Sequence, residues 1–356
     1  MKIYNNLFDR IASSETLFTA WNAFKSDKRN KLDVMRFEWK LEESIFKLHR
    51  ELQNATYKHG PYEGFFIHDP KQRHIHKASV RDRILHHAVF SVLNPIFEPT
   101  FIATSFSCRV GYGTHRGVEA LTRIMRQVSK NNTRACYILK CDIRKFFDSV
   151  DHQVLMEIFK KRIKDSTTLW LLEEIVSSYS RERERERERE RRGEGPEKGI
   201  PIGNLTSQLF ANIYMNEFDQ FMKHELRVKH YFRYTDDFVI VSSDIDYLHG
   251  LLLLVNKFLR ENLKLELHPK KISIRKFHQG VDFLGYVIFP KYRLLRAKTR
   301  KRIFKRTQRI VQGYKSGSVS KATLRQSLQS YLGVLSHANA YRLGEDLKNQ
   351  IWFGSD

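Results

Sequence analysis

The chain has 356 residues, 41% of them apolar and 29% charged, which is material for two or three packed subdomains. Its 63 Lys and Arg against 40 Asp and Glu leave a formal charge of +23, and such an excess points to a polyanionic partner. The longest aliphatic run, Leu251 to Val255, is too short for a bilayer, the start MKIYNNLFDR lacks a secretory core, and Cys108, Cys136 and Cys141 have no metal-ligand spacing, so a cytoplasmic chain without disulfides, zinc or membrane contact is expected.

In chain order, residues 15 to 57 read mostly as helix, with Leu41, Ile45, Leu48 and Leu52 about one turn apart. A turn at His59-Gly60-Pro61 leads to FFIHD and RHIHKA, two short alternating runs that suit a hairpin. A helix is predicted from Val80 to Leu93, stopped by Asn94-Pro95. Tyr137 to Ile143 reads as a buried strand with Asp142 at its C-terminal end. The next helix starts near Ser149 as its cap and buries Val154, Leu155, Ile158 and Phe159.

The run RERERERERERR, Arg181 to Arg192, places like charges at i and i+4 of a helix and offers no apolar face as a strand. A solvated low-complexity loop over 181–198 is therefore expected. YFRYTDDFVIVS then reads as an aromatic strand, a turn at Thr235-Asp236-Asp237 and a second strand. From Lys291 to Arg325 there are thirteen Lys or Arg and no acidic residue. Ile303, Phe304, Ile310 and Val311, then Leu324, Leu328, Tyr331, Leu332 and Leu335, recur there at helical spacing, as in a basic helical clamp on a phosphodiester backbone. Helices and short strands without a regular βαβ rhythm favour an α+β fold.

Carboxylates stand out in two apolar settings, at Asp142 and at Asp236-Asp237. Adjacent carboxylates at a hairpin tip repel unless a cation compensates them. Asp residues from a strand end and a hairpin tip suit two Mg²⁺ ions that activate a 3′-oxygen and stabilise leaving pyrophosphate. The bland alternative is a helix cap and a plain turn.

Tyr234-Thr235-Asp236-Asp237 resembles the YxDD box of reverse transcriptases, and Asp142 through Phe147 resembles the preceding aspartate motif with its aromatic residue. KASVRDRILHHAVFSVLNPIFE and SFSCRVGYGTHRGVEAL are similar to finger segments of group II intron-like enzymes. GIPIGNLTSQLFANIYMNEF resembles their template-primer segment, LKLELHPKKISI and VDFLGYVI their closing palm motifs, and SYLGVLSHANAYRL the start of their thumb. Within that group, Ile202 and Gln208 stand where most relatives have Gln and Pro, a double exchange that resembles the enzymes of diversity-generating retroelements. The chain's end at Asp356 agrees with that compact layout.

The resemblance implies a right-hand polymerase: interleaved fingers and palm over 1–290, with 181–198 as an insertion, and a basic helical thumb over 291–356. It implies an RNA-directed DNA polymerase, bacterial or phage-encoded, with Asp142, Asp236 and Asp237 as catalytic and metal-binding residues and two Mg²⁺ as cofactor. Asp236 is the more critical of the hairpin pair, because neighbouring strand residues face opposite sides. Phe147 would lie under the sugar and exclude a 2′-hydroxyl. Lys77, Arg83, Arg109, Gly203 and either Lys270 or Lys271 are implied on the nucleotide side, and Asn204, Ser207 and Gln208 along template and primer. Ile202 offers the nascent pair no directional hydrogen bond, which in that family accompanies misincorporation opposite template adenines. The implied partners are an RNA template, a DNA or RNA primer, deoxynucleoside triphosphates and a small basic helical accessory protein. The rival readings are a group II intron-like or phage-defence enzyme of ordinary fidelity, and an inactive RNA-binding scaffold.

Overall fold

The computed structural model describes residues 2–68, 72–189 and 198–352, with the side chains of 184–189, 351 and 352 left aside. Four helices open the chain: α1 (Leu7–Ala12), α2 (Ser14–Lys25), α3 (Leu32–Trp39) and α4 (Leu41–Gln53). Strands β1 (Glu63–Ile67) and β2 (Arg73–Lys77) follow, then α5 (Val80–Phe97) and α6 (Thr114–Val128). Next come β3 (Tyr137–Asp142), the single turn α7 (Phe146–Ser149), α8 (His152–Arg162), α9 (Ser166–Arg189) and α10 (Leu205–Gln220). Strands β4 (Tyr231–Tyr234) and β5 (Asp237–Ser242) precede α11 (Ile245–Leu263). Four short strands, β6 (Ser273–Lys276), β7 (Val281–Phe283), β8 (Tyr286–Ile288) and β9 (Arg293–Leu295), lead to α12 (Ala297–Lys315), α13 (Lys321–Ser336) and α14 (Tyr341–Trp352).

The chain divides into two compact units, the first made of Met1–Arg109, Asp142–Val228 and Leu253–Lys270. Its core is helical. α4 turns Ile45, Leu48 and Leu52 inward, one turn apart as their spacing predicts. α5 is buried on most of its circumference, and Ser79 caps it by accepting from the Asp82 amide. The expected stop at Asn94-Pro95 does not occur, because Ile96 and Phe97 are buried and their packing carries the helix past the proline. β1 and β2 form the predicted antiparallel hairpin, with Phe65 opposite Ile75. α8 starts after Asp151, whose carboxylate accepts from the Val154 amide, so the cap lies two residues beyond the expected Ser149.

The Arg-Glu run also departs from expectation. Residues 181–189 continue α9 instead of forming a loop, and 190–197 lie outside the described residues. Arg and Glu are both strong helix formers, and strict alternation that places like charges at i+4 places opposite charges at i+3. Arg181 reaches back to the carboxylate of Glu174 at 2.7 Å, and Glu182 is buried.

The second unit comprises Val110–Cys141, Lys229–Leu252 and Lys271–Asp356. A four-stranded sheet of order β4-β5-β3-β6 is its centre, and β7-β8-β9 form a second, antiparallel sheet. The pairs β4/β5 and β3/β6 are antiparallel. α12 buries Ile303, Thr307 and Val311 on one stripe and leaves Lys298, Lys301, Lys305 and Arg309 exposed. α13 is capped by Ser320 and buries Leu324 and Leu335. Helices and antiparallel strands together are the α+β class expected. No helix among the described residues is long and apolar enough to cross a membrane.

Candidate active site

The hairpin β4/β5 is tighter than the sequence suggested. Tyr234 pairs with Asp237, so the loop is only Thr235-Asp236 and Asp237 is the first strand residue. Thr235 has φ +57°, which is strained for a β-branched residue. The guanidinium of Arg233, fully buried in β4, donates to the Thr235 carbonyl at 2.9 Å and braces that turn. Asp236 and Asp237 are both half-buried.

β5 is hydrogen-bonded to β3, the strand that closes with Asp142. Lys140 on β3 reaches Asp237 Oδ2 at 3.4 Å and donates to the Asp282 carbonyl at 2.8 Å. A cation beside Asp237 offsets charge that the adjacent carboxylates would otherwise crowd together. The sequence marks Lys140 only as a polar residue in YILKCD. Beyond Asp142 the backbone is held by His268, whose amide donates to the Asp142 carbonyl at 2.8 Å.

The donor chemistry fits Mg²⁺, which takes oxygen ligands and is commonly held by one or two carboxylates with water and substrate phosphate completing the shell. Among the described residues no three His, Cys, Asp or Glu side chains are grouped so as to hold a metal ion by themselves.

In the first unit, residues named for the nucleotide gather around a cavity of about 290 Å³ lined by Phe65, Ile75, Lys77, Arg83, Gly203 and Gln208, among others. Three ties build it. The Asn204 side-chain amide donates to the His76 carbonyl at 3.1 Å, and the His76 amide donates to the Ile202 carbonyl at 3.4 Å. Gly203 adopts φ +114°, and a Cβ there would stand 2.9 Å from the Ile75 side chain, so the close approach requires glycine. Upstream, the amides of Gly199 and Ile200 donate to the carbonyls of Val150 and Phe147, each at 2.7 Å, which fixes the half-buried Phe147 beside this segment. Phe147 meets Phe146 edge-on at 5.3 Å.

Other named residues stand elsewhere. Arg109, expected on phosphate, is buried and committed within its own unit: it pairs with Glu98 at 2.8 Å and donates to the carbonyls of Ile102 and Ser105. These ties hold the loop from Glu98 to Arg109 together. Ser207 is buried on α10, whereas Gln208 is exposed. Lys270 is exposed and Lys271 half-buried in the turn Pro269–Lys271.

The family model "Reverse transcriptase (RNA-dependent DNA polymerase)" matches residues 67–288, more than half of the chain. The chain belongs to the reverse transcriptase family. It is an RNA-directed DNA polymerase, a nucleotidyltransferase on an RNA template. Among curated relatives, Protein YkfC of Escherichia coli is 25% identical over 71% of the chain and 71% of YkfC. The group II intron-encoded protein LtrA of Lactococcus lactis is 24% identical over 88% of the chain, which spans just over half (58%) of LtrA. Among solved structures, telomerase from Candida albicans aligns with a TM-score of 0.46 and 12% identity, over 89% of this reverse transcriptase and 64% of that chain.

Proposed function

We propose that this reverse transcriptase copies a template RNA into cDNA by two-metal nucleotidyl transfer and does so with low fidelity, as part of a diversity-generating retroelement. The observation that carries the chemistry is the sheet: the strand ending in Asp142 neighbours the strand that opens at Asp237, one residue past Asp236. In this reading Asp142, Asp236 and Asp237 hold two Mg²⁺, which would supply charge neutralisation at the attacking 3′-oxygen and at the leaving pyrophosphate. Lys140, 3.4 Å from Asp237 Oδ2, offsets the charge of that carboxylate. Lys77 and Arg83 grip the triphosphate, Phe147 sits under the sugar and rejects a 2′-hydroxyl, and Gln208 faces template or primer. Either Lys270 or Lys271 serves the leaving phosphates. The exposed stripe of α12 holds the duplex backbone through its cations.

Low fidelity rests on Ile202, which replaces an amide by an apolar group and so removes directional selection at the nascent pair. The similarity to LtrA favours a second reading, an intron-type enzyme of ordinary fidelity. Primer extension on a defined RNA template with Mg²⁺, product sequencing and an Asp236→Asn control separates them. Extension abolished in the variant, with errors concentrated opposite adenine and reduced by Ile202→Gln, is the expected result. Even, low error that Ile202→Gln leaves unchanged would refute the retroelement reading. Extension that survives Asp236→Asn would refute the assigned carboxylates. If purified protein is silent, the assay is repeated with the element's RNA and accessory protein, and silence then favours the scaffold reading.

A further inference from the structure

Two of the three cations that line the 290 Å³ cavity, Lys77 and Arg83, are already paired from within the chain, and the third, Lys28, donates to the Phe24 carbonyl. Asp33, in the first turn of α3, accepts through one oxygen from both: its Oδ2 lies 2.9 Å from Lys77 Nζ and 2.7 Å from Arg83 Nη2. Glu63 accepts a second hydrogen bond from Lys77 at 3.0 Å. Two donors that meet on one anionic oxygen, one of them a guanidinium, make the seat that a phosphate oxygen takes. We propose that Asp33 is a resident carboxylate in the phosphate seat, which the incoming nucleoside triphosphate must displace, so that it sets the enzyme's affinity threshold for nucleotide. The inference rests on the reading that Lys77 and Arg83 hold the triphosphate.

Charge makes the exchange necessary. Lys77 and Arg83 are balanced by Asp33 and Glu63, Lys28 leaves the cavity with one surplus positive charge, and a triphosphate entering beside Asp33 would still meet a like charge at contact distance. Partial burial pushes the Asp33 carboxyl up, but hydrogen bonds from Lys77 and Arg83 outweigh it and hold the group below its ordinary range, so it stays ionised at working pH. α3 is also built to yield. Val34 is its one buried residue, Lys31 provides no side-chain cap, and Leu32, Met35 and Trp39 are exposed to 71%, 52% and 90%. Its apolar anchors are Val34 and the half-buried Phe37, whose ring lies 5.5 Å from that of Trp21, a small set for a helix and the usual condition for low-cost local opening. A triphosphate brings enough charge to replace the carboxylate on both cations at once, whereas a monophosphate brings less, so the seat discriminates by charge.

The test measures KM for a deoxynucleoside triphosphate and the inhibition constant of inorganic tripolyphosphate on the whole chain. Asp33→Asn should lower both by about fivefold, the size expected on removing part-exposed ion pairs, with the change falling on KM rather than kcat. Asp33→Glu should stay near wild type, and Lys77→Ala and Arg83→Ala should raise both constants. If the two cation variants raise them but Asp33→Asn leaves them unchanged or raises them too, the displacement idea is overturned and the phosphate grip survives. If the cation variants change neither constant, the grip itself is wrong and the inference falls with it. A drop in melting temperature for Asp33→Asn without tighter tripolyphosphate binding would mark Asp33 as a helix-terminus support only, also against the proposal.

Discussion

Asp82 offers the sharpest quantitative test of how the first unit holds α5, the helix that carries Arg83. Its carboxylate is wholly buried and accepts from Tyr57 Oη at 2.9 Å, Ser79 Oγ at 2.6 Å, the Gly60 amide at 3.2 Å and the Arg81 guanidinium at 3.1 Å. Asp82→Ala strips these donors of their shared acceptor. Arg81 keeps Glu51 and the Lys58 carbonyl, and Ser79 can turn to water, so the main loss is at Tyr57 and Gly60. The buried Tyr57 hydroxyl and the half-buried Gly60 amide, left unsatisfied, cost about 1–3 kcal/mol each, and recovered carboxylate desolvation offsets part, so about 3–4 kcal/mol is expected. Hydrogen exchange of the α5 amides reads this locally and avoids assuming that a chain of two units unfolds in one step. Protection should fall by about two to three orders of magnitude, since each tenfold corresponds to about 1.4 kcal/mol. A fall of less than tenfold would show that the network is replaceable by water and refute the reasoning. In Tyr57→Phe only one donor is lost, and about a tenfold effect should remain.

Acid should destabilise the protein through His86 and His87, which burial lowers from 6.5 to about 3 and about 4 respectively. The unfolded chain binds protons from about pH 6.5 downward while the folded chain does not, so stability is full above that pH and declines toward pH 4. Melting temperatures across that range check this, and His86→Gln should flatten the slope. Gly203→Ala should raise KM for nucleotide several-fold, because an alanine at φ +114° costs about 1–3 kcal/mol and its Cβ presses on Ile75. Steady-state kinetics at varied nucleotide would show it, and an unchanged KM would mean that the segment relaxes freely. RNA affinity should fall linearly in log–log salt titrations. Replacing Lys301, Lys305 and Arg309 together should reduce the slope by about 2, at roughly 0.7 for each phosphate no longer neutralised. A slope that does not change would remove α12 from the binding surface.

The hairpin at Thr235-Asp236, the strand ending at Asp142 and the β1/β2 pair were legible because alternation and turn chemistry are local signals. The stripes of α4 and α12 were legible for the same reason. What escaped depends on packing between distant segments. Pro95 reads as a stop until Ile96 and Phe97 are seen buried, and the pairing of Arg109 with Glu98 has no local sign. The Arg-Glu run reads as a loop if only i+4 is weighed, yet Arg181 is drawn to Glu174 and α9 continues. Asp33 and Lys140 carry no motif at all; their meaning lies in partners 44 or more residues away.

The strand order β4-β5-β3-β6 also has a cost during synthesis. β3 leaves the ribosome as an apolar ribbon, YILKC, whose neighbours β5 and β6 end at Ser242 and Lys276. Until those residues emerge both its edges are unpaired, the condition under which chains add to one another. The helical segments of Met1–Arg109 can meanwhile collapse on short-range contacts. A nascent chain stalled between residues 142 and 242 should therefore be soluble at its head and adhesive at its newest strand, and recombinant yield should respond more to chaperone supply than the stability of the finished protein would suggest.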